Sequence, residues 1–121
     1  MKVYALALAV SLAVLFTAGE GRAGYIQGQG LNGFCSAEDS FFSDGLCSGY
    51  IEGVYDAGEL LDKATNKKQW DGGWTACRPD GVKVGQLVEV VKKWLREHPE
   101  DWHYNAASLV AHAFHKTWPC R

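Results

Sequence analysis

The stretch Val84-Gly-Gln-Leu-Val-Glu-Val-Val-Lys-Lys-Trp-Leu-Arg-Glu97 decides the fold class. Apolar side chains recur at Val84, Leu87, Val88, Val91, Trp94 and Leu95, and Glu89, Lys92, Lys93 and Arg96 fall between them. Steps of three and four place the first group on one side of an α-helix and the second on the other, so this is a helix with one dry face. Pro99 stops it, because the proline ring biases the preceding residue away from helical geometry. Downstream, a second helix is predicted over residues 106–118, capped by Asn105, buried through Leu109, Val110, Ala113 and Phe114, and ended by Pro119.

Upstream, Ser43 or Asp44 can cap a further helix. In it Leu46, Tyr50, Val54 and Leu61 recur at helical spacing, with Cys47, Ile51 and Gly58 beside them. A short helix fits residues 31–35, weakened by Gly33, and residues 24–30, with Gly24, Gly28 and Gly30, read as a flexible leader. Residues 62–76 lose the periodicity and read as a long surface loop turning sharply at Gly72 and Gly73. No segment sustains the period-two alternation of a strand. The predicted class is all-α, a small disulfide-braced helical bundle.

Residues 3–18 are apolar except for Ser11 and Thr17, follow Lys2 and give way to Gly19, Glu20, Gly21 and Arg22. That is too short for a membrane span of about 20 apolar residues and reads as a signal peptide, residues 1–23, cleaved after Ala23. Residues 24–121 then form one domain, soluble and periplasmic, with no membrane contact after cleavage. Losing Lys2, Arg22 and Glu20 moves the formal charge of −2 one unit further negative. Such a balance lacks the clustered basic face of a nucleic-acid binder and the polybasic segment of a membrane-surface binder.

Four cysteines, Cys35, Cys47, Cys77 and Cys120, follow the signal. An even count in an oxidising compartment predicts disulfides rather than reactive thiols. Three connectivities are open. If the last two helices run antiparallel, the end of the final one returns to the start of its predecessor, which pairs Cys77 with Cys120 and leaves Cys35 with Cys47.

With the cysteines paired, no metal site, cofactor site or catalytic constellation remains. His112 and His115 share a helix face but lack the further ligands that zinc needs. Ser108 beside a histidine has no nucleophile elbow around it, and Glu97, Glu100 and Asp101 read as a solvated turn, so the chain is read as no enzyme. Gly49, Gly53 and Ala57 recur every four residues, which fits tight internal helix packing, the alternative being a dimer seam. Trp70 and Trp74 flank the turn Asp71, Gly72 and Gly73. Aromatic side chains concentrate at the energetic centres of interfaces, so these five residues are the candidate partner-binding site, unless both rings fold back over the bundle as a lid.

Taken together, Cys47-Ser-Gly-Tyr-Ile-Glu-Gly-Val-Tyr-Asp56, Cys77-Arg-Pro-Asp-Gly-Val82, Gly85-Gln-Leu-Val88, Trp94-Leu-Arg-Glu-His-Pro99 and the closing Trp118-Pro-Cys120 resemble the Rap/Tai family of type VI secretion amidase immunity proteins. The resemblance runs over residues 31–120. It implies an all-helical periplasmic protein, often a homodimer, that blocks a peptidoglycan amidase effector. The implied target is a papain-like cysteine amidase that cuts the γ-D-glutamyl to diaminopimelate bond, entered by a protruding loop that corresponds here to the segment between the helix at Cys47 and Cys77. The alternative reading is an orphan periplasmic stress protein similar to the HdeA acid chaperones, which are also small, helical and disulfide-linked.

Overall fold

A computed structural model describes residues 25–65 and 76–120. Four helices follow in order, α1 over Gly28–Ser36, α2 over Phe41–Thr65, α3 over Val84–Glu97 and α4 over Ala106–Thr117, with a 3-10 turn at Pro99–Asp101. Each helix touches the other three. Among the described residues there is no strand, only the isolated bridges between Gln27 and Asn105 and between Ala76 and Pro119. The molecule is the disulfide-braced all-α bundle that the sequence predicts.

The dry face of α3 enters the core through Leu87, Val91 and Leu95. Val84 stays 38% exposed because it sits one turn beyond the core. The first turn of α3 has no side chain accepting from its free N–H groups, but Gln86 Oε1 accepts from the Lys83 N–H at 2.9 Å, half of a capping box. Asn105 caps α4, its Oδ1 accepting from the Ala107 N–H at 2.9 Å. From α4 come Ala106, Leu109, Val110, Ala111, Ala113 and Phe114, which close over Leu31, Ile51, Val91 and Leu95.

The flexible leader expected over residues 24–30 is corrected in its second half, because Gly28 and Gly30 belong to α1. Gly28 donates its N–H to Tyr104 O at 2.9 Å, and Gln29 donates to Trp102 O at 3.0 Å, so the α1 start is bonded to the turn before α4. A Cβ on Gly28 would lie 2.4 Å from Leu109 Cδ1 and 3.0 Å from Trp102 Cα. Glycine is there for close approach rather than for flexibility.

Three further corrections concern α2. Its cap is Ser40, whose Oγ accepts from the Ser43 N–H at 3.2 Å, not Ser43 or Asp44. It continues through Thr65, taking residues 62–65 from the expected loop. Lys63 and Ala64 are good helix formers, and Lys63 pairs with Glu59 one turn back at 3.9 Å. Finally, the buried side is led by Cys47 and Ile51, with Tyr50 and Val54 partly buried, and Leu61 lies 38% exposed. Gly49, Gly53 and Ala57 therefore face away from the core. Neither glycine has anything within 4 Å of the position of a Cβ, so the expected internal packing is absent.

Both disulfides pair as predicted, Cys35 with Cys47 and Cys77 with Cys120, at Cα separations of 5.0 and 4.9 Å. The first lies inside the core between the end of α1 and the start of α2. The second lies nearer the surface, where the chain before α3 meets the chain after α4.

Candidate functional site

Trp70, Asp71, Gly72, Gly73 and Trp74 lie outside the described residues. What is described is the frame on either side of them. The chain leaves along α2, which ends at Thr65, and reappears at Ala76. From there it is held at several adjacent points. Ala76 bridges to Pro119, the Cys77 N–H donates to Trp118 O at 2.8 Å, and Cys77 is bonded to Cys120.

The next residue, Arg78, spans back to α2. Its Nε donates to Tyr55 Oη at 2.6 Å and its Nη1 to Val82 O at 2.6 Å. The guanidinium carbon also sits 4.8 Å from the centroid of the Tyr55 ring. Tyr55 in turn donates its hydroxyl proton to Glu59 Oε1. Its ring meets Phe114 edge-on at 5.8 Å, and Phe114 stacks on Trp118 at 6.0 Å. Burial and the bond to Glu59 push the Tyr55 hydroxyl above its usual range, with Arg78 opposing. The phenol thus stays protonated and available to bridge Glu59 and Arg78. A cavity of about 50 Å³, lined by Val54, Tyr55, Gly58, Ala76, Ala111 and Phe114 among others, lies beneath this cluster.

The arrangement is a clamp. It sets where residues 76–78 stand relative to α2, and it contains no nucleophile facing a base. Among the described residues no group of three or more His, Cys, Asp and Glu side chains is placed to hold a metal ion. Ser108 and His112 are exposed on α4 and His115 is half-buried there. His112 instead touches Trp94 edge-on at 5.0 Å, and His98 stacks on the same indole at 3.7 Å.

The comparisons with known proteins bear on this frame. The family model for Rap1a immunity proteins matches residues 27–120, which takes in all four helices and both disulfides. The chain belongs to the Rap1a immunity protein family. As a member of that family it is an immunity protein, which implies a protein effector as its partner, and with two disulfides the Rap1a fold suits an extracytoplasmic setting. The chain is also 42% identical over 53 residues to protein RecA of Limosilactobacillus reuteri (strain DSM 20016), covering 42% of this chain and 14% of that protein. Protein RecA of Lactobacillus acidophilus (strain ATCC 700396 / NCK56 / N2 / NCFM) shows the same identity over the same length. The chain thus spans about a seventh of these relatives, and so short a match carries no argument about function. No solved structure matches significantly.

Sequence reasoning passed over Tyr55, Glu59 and Arg78 as site residues. Tyr55 and Glu59 stand one helical turn apart and so could be paired from spacing. Arg78 is 23 positions from Tyr55, and nothing local joins them.

Proposed function

We propose that this Rap1a family protein is a periplasmic immunity protein that binds a type VI secreted peptidoglycan amidase and occludes its active site. Residues 66–75, carrying Trp70 and Trp74, enter the enzyme cleft. The observation that carries the reading is the family match over residues 27–120 together with the clamp at the root of that segment. A segment whose return end is fixed by a disulfide, a bridge and an arginine loses less freedom on docking than a loose one, which favours affinity. Blocking a cleft requires a ridge held in place and no chemistry.

The test is inhibition of a purified papain-like type VI amidase acting on peptidoglycan stem peptides. Residues 24–121 should abolish cleavage of the γ-D-glutamyl to diaminopimelate bond and should cleave nothing themselves. Burying one aromatic ring is worth about 1.5–3 kcal/mol, so Trp74→Ala should weaken binding roughly ten- to hundredfold with the thermal midpoint unchanged. An amidase panel untouched by the wild-type protein, or a Trp74→Ala variant that unfolds while its folded fraction binds normally, would overturn the reading.

A further inference from the structure

The outer side of α2 has no partner within the fold. Positions 42, 45, 49, 53, 56 and 60 follow one another at steps of three and four on the side opposite Cys47 and Ile51. Phe42 is 73% exposed and Leu60 67% exposed at its two ends, and Phe41 beside it is 95% exposed. Between them lie Gly45, Gly49 and Gly53, each with nothing within 4 Å of where a Cβ would be. Interior glycine weakens a helix, and here no close approach inside the molecule offsets the loss. The three make a shallow trough with bare backbone as its floor and large apolar side chains at its ends. Glu52 stands along one edge and Asp56 in the row itself between Gly53 and Leu60, both exposed and, among the described residues, without an ion-pair partner. Glu59 extends the same sign, and Lys63, tied to Glu59, is the single basic residue of the helix.

We infer that this face is a second contact surface for the effector protein, taking a patch in which lysine or arginine side chains alternate with apolar ones. The inference rests on the functional reading above for the identity of the partner. Long cationic side chains suit the trough because their aliphatic stems can lie on the glycine floor while their charged ends reach Glu52 and Asp56. Phe42 and Leu60 supply the apolar contacts at either end. A second copy of this chain fits worse. A two-fold crossing of α2 on itself that sets Gly49 against Gly53 brings the two copies of Glu52 side by side, like charge on like. The face lies on the helix that precedes residues 66–75 in the chain.

The test uses two variants, Gly49→Leu with Gly53→Leu, which fills the trough, and Glu52→Lys with Asp56→Lys, which reverses its charge. Each should keep the circular dichroism and thermal midpoint of the wild-type domain at or above their original values. Each should weaken binding to a purified papain-like amidase that the wild-type protein inhibits by at least tenfold, and the charge reversal should also remove most of the salt dependence of the association rate. Unchanged affinity in both variants overturns the inference and leaves the functional reading standing. Unchanged affinity with a wild-type dimer becoming monomeric in sedimentation assigns the face to a second copy, which also overturns it. If the wild-type protein binds no amidase, the functional reading fails, and a helical peptide of leucine and lysine becomes the probe. Binding to wild type that is lost on charge reversal supports a basic, apolar partner of another kind, and no binding overturns that too.

Discussion

At the level of single residues, two glycines that look alike in the sequence behave in opposite ways. Gly28 touches Leu109 and the Trp102 backbone, and an added methyl would have to push the Leu109 side chain aside while crowding the Trp102 main chain. Gly28→Ala should therefore destabilise the domain by about 1–3 kcal/mol, read from urea melts. Gly49 faces open space, so Gly49→Ala should stabilise by up to about 1 kcal/mol. Equal effects of the two changes would contradict the packing described here. His112 offers a second test. Partial desolvation of one side of its ring, where it meets Trp94, holds its imidazole below the ordinary value of 6.5, assisted by Lys116, His115 and His98 and opposed by Asp101. A histidine whose folded pKa is depressed binds protons more readily when unfolded, so its contribution is present above pH 6.5 and is lost as pH falls below it. The urea midpoint should drop between pH 7.5 and 5.5, and His112→Gln should flatten that drop.

At the level of elements, helix ends are where local chemistry acts most directly. Asn105 does two things, accepting from the Ala107 N–H at 2.9 Å and forming the bridge to Gln27 that seats the start of α1. Asn105→Ala should lower stability by about 1 kcal/mol through the cap alone. Asn105→Ser, which restores a capping oxygen, should recover most of the loss in a thermal melt. The turn between α3 and α4 is held differently. Trp102 Nε1 donates to Leu95 O at 2.8 Å, capping the end of α3 from a residue beyond the proline. That bond satisfies the Leu95 carbonyl, which Pro99, lacking an N–H, cannot serve.

For the whole molecule, the two disulfides brace different things. Cys35 and Cys47 are separated by 12 residues and lie in the core, where their sulfurs also fill volume. Cys77 and Cys120 are separated by 43 residues and lie outside it, closing α3 and α4 into one loop. Cross-linking chiefly restricts the unfolded chain, so Cys77→Ser with Cys120→Ser should lower unfolding free energy by about 2–4 kcal/mol with the helical spectrum retained. The change should also reduce affinity for an amidase more than its stability effect alone would suggest, because the released pair anchors residues 76–78. Calorimetry at a temperature where both proteins are folded separates the two effects.

Helix content, the span of α3, the cap of α4 and the cysteine pairing were all readable from residue order, because each depends on neighbours within a turn or two or on simple antiparallel return. Periodicity and capping are local properties of the chain. The burial of α2 was not readable, since Leu46, Tyr50, Val54 and Leu61 and the adjacent row led by Cys47 and Ile51 are both apolar enough to face a core, and the choice belongs to the helices that pack against them. The glycines followed the same logic. Nothing in the sequence distinguishes Gly28, pressed against Leu109, from Gly49, facing solvent, until α4 and α1 are brought together. The clamp of Arg78 on Tyr55 likewise exists only in three dimensions, because a hydrogen bond across 23 residues forms only after the bundle has brought its two ends within reach.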